Sequence, residues 1–305
     1  MPDVSVIVPA RDSEATLGRT LERLRAQDFS GEWEVVVVDD GSTDSTRALA
    51  QAAGAPVRCV SQMAAGPGAA RNRGVSASSA PLLAFTDADC FPAADWLAAG
   101  VRAFGRADLV QGRVQPDGQD PPGPFQRSLW VTSDTGLWQT ANLFTTRTLF
   151  DRVGGFEDWL GPRAGKMLGE DVLFGWSACR VGARPAFAPD AVVSHAFFAR
   201  GPAGYVAERA RRLHVPALVR RVPELRRTML WHRWFLDRRS ALTDAALLGL
   251  GVAIGARSRV ALLAGVPYAA ALYGPRVPTY STTERARRLP HTRAVVSARS
   301  ETTFA

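Results

Sequence analysis

The chain is almost without lysine. Lys166 is the single one, so nearly all of its 37 lysine-plus-arginine cations are guanidinium groups. Cysteine is scarce too. Cys59, Cys90 and Cys179 lie far apart, are odd in number and show no metal-ligand spacing, which argues against a disulfide scaffold and for a reducing compartment. No charged leader or cleavage site precedes Val4-Ser5-Val6-Ile7-Val8, so no secretory signal is visible and a cytoplasmic protein is expected. Nor does an uninterrupted apolar run reach the roughly 20 residues of a spanning helix. The late apolar stretches Ala241–Ala256 and Val260–Tyr273 are short and carry Asp244 and Pro267.

What is present is unevenly charged. The net charge is +8, yet residues from Arg200 onward hold nineteen arginines against six acidic residues, a local balance of +13. Residues 1–199 are therefore acidic, at −5. A nucleic-acid-binding protein is disfavoured, because that acidic part contains no recognisable reading motif. The 305 residues allow one large domain or two modest ones.

Unalternating apolar runs at Val4–Val8, Val35–Val38, Val57–Val60 and Leu82–Phe85 read as strands buried on both faces of a parallel sheet. Helical patterns lie between them: Leu17, Leu21 and Leu24 after a cap at Asp12 or Ser13, then Ser45 to about Ala53, then Ala69–Ala77 after the Gly66-Pro67-Gly68 turn. Alternating strands and helices make a parallel sheet with right-handed crossovers the economical fold. Polar groups following three strands, at Arg11/Asp12, Asp39/Asp40 and Asp87/Asp89, then gather along one sheet edge. That edge is where open α/β sheets bind ligands, and two carboxylates there suit a hard divalent cation. By itself Asp-x-Asp serves equally as an acidic loop or a helix cap.

Taken together, VSVIVPARDSEATL, VVVVDDGSTDST, GPGAARNRGVSAS, LLAFTDADCFPAADWL, ANLFTTRTLFDRVGGFEDWLG, GEDVLFGWSACRVGARPAFAP and the histidine of VVSHAF resemble the family 2 GT-A glycosyltransferases. The resemblance covers residues 4–198. It implies a GT-A fold, a Rossmann-like, mostly parallel sheet flanked by helices, followed here by a basic helical region. It also implies inverting transfer of a sugar from a nucleotide-sugar donor, UDP or GDP type, with Mn²⁺ or Mg²⁺ as cofactor.

Carried over by position, the resemblance implies that Pro9, Ala10, Arg11 and Glu14 line the nucleoside pocket; Asp12 stands where the family commonly has Asn. Asp39 or Asp40 would hold the base, with Gly41 and Ser42 turning the chain beneath it, and Arg71 would approach the nucleotide. Asp87, Ala88 and Asp89 form the diphosphate segment, Asp87 meeting the ribose or a metal-bound water and Asp89 ligating the metal. His195 falls where some members supply a further ligand. The acidic pair Glu170-Asp171 holds the catalytic base in this pattern: Asp171 as base, Glu170 orienting it or the acceptor. The same pair could also simply complement a helix dipole. Asn142 would run along the donor site. Trp130 and Trp138, flanking Ser133-Asp134-Thr135-Gly136, either stack on the acceptor sugar or belong to the core.

The expected organisation is a donor-binding half over 1–110, an acceptor and base half of the same domain over 111–199, an arginine-rich helical region over 200–275 and a polar tail over 276–305. Arginine interleaved with Trp231, Trp234 and Phe235 matches a segment lying in an anionic membrane interface, peripheral at the inner face of the cell membrane. Docking there would bring a lipid-linked acceptor within reach, besides small-molecule or glycan acceptors. Packing on the catalytic domain, or a dimer interface, is the alternative. A nucleotidyltransferase would share the sheet but needs a glycine-rich phosphate loop after the first strand, which Pro9–Glu14 does not supply.

Overall fold

The computed structural model describes residues 1–118, 126–159, 169–199, 204 and 211–273. The expected turn-rich loop at Asp117–Pro124 lies mostly outside these residues, and the polar tail wholly so. Two compact units make up the chain, Met1–Val222 and Pro223 onward.

In the first unit the strands are β1 Val4–Ala10, β2 Trp33–Asp40, β3 Val57–Gln62, β4 Leu82–Phe85, β5 Cys90–Pro92, β6 Leu109–Pro116, β7 Gln126–Arg127, β8 Leu143–Thr146, β9 Pro185–His195 and β10 Phe198–Ala199. The helices between them are α1 Glu14–Arg25, α2 Thr46–Ala52, α3 Pro67–Ser76, α4 Trp96–Arg102, α5 Arg147–Val153 and α6 Glu170–Arg180. Eight strands form one sheet in the order β3-β2-β1-β4-β8-β6-β9-β5, while β10 and β7 pair separately. The ladders joining β1–β4 are all parallel, as is β6 to β9; β8 and β5 pair antiparallel with their neighbours.

The valine runs explain the parallel part. Val35 to Val38 are fully buried, as a central strand covered on both faces requires. Each such side chain contributes about 1.5–3 kcal/mol by leaving water. α1 covers one face through Leu17, Thr20, Leu21 and Leu24. Strand order runs outward from β1 to β3 and restarts at β4, so the switch point of the sheet falls between β1 and β4.

The first compact unit runs past residue 199 to Val222. The helix Val215–Arg221 belongs to the first unit, where Leu218 fits against Gly169, which has φ +78° and no room for a Cβ. The second unit contains the helix Arg238–Gly255, opened by a reciprocal cap between Asp237 and Ser240, and the apolar segments Arg259–Gly265 and Val266–Tyr273. Among the described residues no helix is long and apolar enough to cross a membrane.

Candidate active site

The loops after β1 and β2 cap each other's helices. Asp44 Oδ2 accepts from Glu14 N at 3.0 Å at the start of α1, and Glu14 Oε2 accepts from Ser45 N at 3.0 Å at the start of α2. Ser13 N donates to Thr46 Oγ1 at 2.7 Å, and Asp12 Oδ1 accepts from Thr43 N at 2.8 Å. Asp12 holds φ +46°, a conformation Asn and Asp tolerate best. The sequence assigned Glu14 to the nucleoside pocket, but its carboxylate closes a helix end. Pro9 and Ala10 end β1 beside this junction, Arg11 is exposed, and Ser42 Oγ takes the Asp12 N–H at 3.1 Å.

Asp39 and Asp40, both buried, separate cleanly. Asp40 accepts from Gln62 Nε2 and Ala65 N through Oδ1, and from Gly66 N through Oδ2, at 2.7–2.9 Å. Both its oxygens therefore pin the loop leading into α3. Among the described residues Asp39 accepts only from Ser42 N, through Oδ1, over the turn at Gly41, which has φ +72°. Asp39 is thus the one of the pair with an oxygen to offer a base.

After β4 the chain turns, bringing Asp87 and Asp89 to the edge. Thr20 of α1 holds this turn by donating from Oγ1 to the buried Ala88 carbonyl at 2.9 Å. Asp87 Oδ1 receives Arg71 Nη2 at 2.8 Å. Asp89 is anchored by the β5–β9 ladder: Cys90 pairs with His195, and Ala196 N donates to the Asp89 carbonyl at 2.9 Å. His195 Nε2 consequently stands 3.7 Å from Asp89 Oδ2.

His195 Nδ1 lies 2.8 Å from the Ala196 carbonyl, an acceptor only, so Nδ1 carries a proton and Nε2 is the nitrogen turned to Asp89. Burial and neighbouring Asp87 push the Asp89 carboxyl above its ordinary range, and His195 opposes the shift. Among the described residues Asp89, Cys90 and His195 form the one group whose ligand atoms lie within 4.8 Å of one another. A carboxylate oxygen and an oriented imidazole fit Mn²⁺ or Mg²⁺, the nitrogen favouring Mn²⁺. Asp87 is not in that group; one of its oxygens is committed to Arg71.

Arg71 itself is buried. It was expected to approach the nucleotide; instead its Nη1 donates to Glu170 Oε1 at 3.1 Å while Nη2 holds Asp87. One guanidinium thereby ties the end of β4 to the start of α6, and its buried Nε has no acceptor among the described residues. Beside this pair, Asp171 is half-buried. Desolvation and the adjacent Glu170 push its carboxyl up to about 8, against the pull of Arg71. A carboxylate of that basicity is matched to taking a proton from a hydroxyl.

Two sequence expectations are corrected here. Trp138 does not face a sugar. It is 1% exposed, and a Cβ on Gly175 would come within 2.0 Å of its ring, so it seats α6 from behind. Asn142 is fully buried and saturated, accepting from Trp96 Nε1 and donating to the Arg113 and Ala191 carbonyls at 2.7–2.8 Å. It braces β6 and β9 and has no group left for a donor. Trp130, 47% exposed, keeps an accessible ring.

Sequence reasoning missed Thr20 and Asn72. Thr20 sits on the apolar stripe of α1, one polar residue among leucines. Asn72 clamps Phe156 through both backbone groups at 2.8–2.9 Å, beneath Arg71; its only signal was its place between Arg71 and Arg73.

Carboxylates at the switch point, joined through Arg71 to the acidic pair of α6, thus stand on a fold similar to that of the GT-A glycosyltransferases. The chain belongs to glycosyl transferase family 2, which it matches over residues 5–186. It is 30% identical over 210 residues to glycosyltransferase AglE of Haloferax volcanii, covering 64% of this chain and 67% of that protein. It is 37% identical over 139 residues to the succinoglycan biosynthesis protein ExoO of Rhizobium meliloti, covering 45% of this chain and 39% of that one. Its fold is similar to that of the mannosyltransferase PcManGT of Pyrobaculum calidifontis, solved with GDP-Man and Mn²⁺, at a TM-score of 0.56 and 20% identity, over 99% of this chain and 81% of that one. Residues 1–349 of S. aureus TarS, solved with UDP-GlcNAc, share it at 0.50 and 22% identity, over 70% and 66%.

Proposed function

We propose that this glycosyltransferase moves a sugar from a UDP- or GDP-sugar to an acceptor hydroxyl by a single in-line displacement that inverts the anomeric centre. The observation that carries the reading is the Arg71 bridge, since it fixes the acidic pair of α6 against the carboxylate turn after β4. Asp39 and the Gly41-Ser42 turn receive the base. Asp89 and His195 would hold Mn²⁺ or Mg²⁺, which when bound neutralises charge growing on the leaving nucleoside diphosphate. Asp87 stays with Arg71 and meets the ribose or a metal-bound water.

Asp171 takes the acceptor proton as the acceptor oxygen attacks opposite the leaving group. Glu170, hydrogen-bonded to Arg71, keeps Asp171 basic by like-charge repulsion. Trp130 offers a ring face to an acceptor, which is a small molecule, a glycan or a lipid-linked hydroxyl. That the PcManGT and TarS structures contain GDP-Man with Mn²⁺ and UDP-GlcNAc supports the donor class. Thermal stabilisation by a nucleotide-sugar panel, with and without Mn²⁺, tests it. A UDP- or GDP-sugar should raise the unfolding temperature only when Mn²⁺ is present; a flat response to the whole panel would remove the reading.

A further inference from the structure

The second unit carries an apolar surface unrelated to sugar chemistry. Leu247, Leu248 and Ile254 of the helix Arg238–Gly255, with Val260, Leu263 and Val266 of the following segments, are each 57–73% exposed. Single exposed leucines are ordinary, but six bulky apolar side chains exposed within residues 247–266 are the kind of concentration that marks an interaction site. Small residues make the contact within the pair: Gly249 meets the Ala261 carbonyl and Ala264, which leaves the bulky side chains outward.

Charge selects the occupant. Arg238 opens the helix, Arg257 and Arg259 follow its end, and all three are exposed, as are Arg227 and Arg233. Only Glu224, Asp237 and Asp244 oppose them in this unit's described residues, and Asp237 is spent on the helix cap. A second copy meeting this surface by two-fold symmetry would set arginine against arginine. An anionic lipid headgroup layer is complementary instead. Trp234, 74% exposed with Arg226 4.9 Å from its ring, has the amphipathic character that favours the headgroup level.

Length fixes the orientation. Between Asp244 and Arg257 the apolar run spans about 18 Å of helix, against about 30 Å of hydrocarbon. A perpendicular insertion would drag one charged end into the bilayer; lying in the interface leaves both ends within reach of the headgroups.

We propose that the segment Arg238–Tyr273 docks the protein on an anionic bilayer, lying in the plane of the interface with its arginines on the headgroups and its exposed leucines in the acyl layer.

Co-sedimentation of the full chain with vesicles of phosphatidylcholine alone, or with 30% phosphatidylglycerol, tests this. The wild type should pellet with the anionic vesicles and release as salt rises. Arg257→Glu with Arg259→Glu should weaken partitioning by about fivefold or more per arginine. Leu248→Asp with Ile254→Asp should weaken it about tenfold or more. Both changes are at exposed positions, so circular dichroism should match the wild type, and the arginine pair keeps the test open should the other variant misfold. Equal binding to neutral and anionic vesicles, or none to either, overturns the proposal. So does a wild-type dimer in light scattering that the leucine variant splits while vesicle binding persists.

Discussion

Arg71 reaches Glu170 across 99 positions of sequence, Nη1 to Oε1 at 3.1 Å, with the Asp87 carboxylate held at 2.8 Å on its other nitrogen. This contact joins the two ends of the site, so its removal should act on both stability and turnover. Arg71→Met leaves Glu170 buried without its cation and should cost about 3–5 kcal/mol in urea unfolding. Arg71→Lys keeps the charge but cannot span two carboxylates, and should lose less stability while turnover still falls by about tenfold or more. An Arg71→Met protein as stable as the wild type would contradict the bridge.

The raised Asp171 carboxyl predicts two pH dependences of defined sign. In the free enzyme the base is ionised only above about 8, so kcat/KM should climb through neutral pH and level off past that value. Glu170→Gln removes the like charge beside it and should move the climb to lower pH. For stability, the folded carboxyl stays protonated between about 4 and 8 while the unfolded one ionises, so stability is lost as pH rises through that window. Asp171→Asn should erase this slope, gaining on the wild type toward pH 8. A pH-independent difference in unfolding free energy would rule the shift out.

The sheet was legible because valine runs buried on both faces leave no alternation, and Asp39, Asp40, Asp87 and Asp89 follow their strands directly. The short strands β5 and β8 were not, since three or four residues between polar turns carry no period. What the side chains face was also hidden. Trp138 and Asn142 have the residue types of a sugar site, yet burial and saturation make them supports. The capping role of Glu14 was hidden because a carboxylate just after a strand looks the same whether it meets a nucleotide or a helix end in another loop. That the first unit runs on to Val222 was not legible, since Leu218 fits against Gly169 and nothing in local composition reports such a contact.

Those supports can be tested directly. Asn142→Ala orphans the Trp96 indole N–H and the Arg113 and Ala191 carbonyls, each costing about 1–3 kcal/mol. The unfolding midpoint should fall while KM for the donor stays put; a selective rise in KM would restore Asn142 to the donor site. Gly175→Ala should push α6 off Trp138 and lower kcat by displacing Asp171.

His195 should discriminate between cations. With its Nε2 turned to Asp89 at 3.7 Å, His195→Ala should weaken Mn²⁺ binding more than Mg²⁺ binding, as read by calorimetry and by the Mn²⁺ electron paramagnetic resonance signal. An equal loss for both ions would place the imidazole outside the coordination sphere.

The division of labour between the carboxylates is most directly tested by titrating UDP and GDP, with Mn²⁺, into Asp89→Ala and Asp171→Asn. Transfer should vanish in Asp89→Ala and fall by about 10²-fold or more in Asp171→Asn, while metal-dependent nucleotide binding disappears only in Asp89→Ala. Equal loss of binding in both variants, or full binding by Asp89→Ala, would contradict the account.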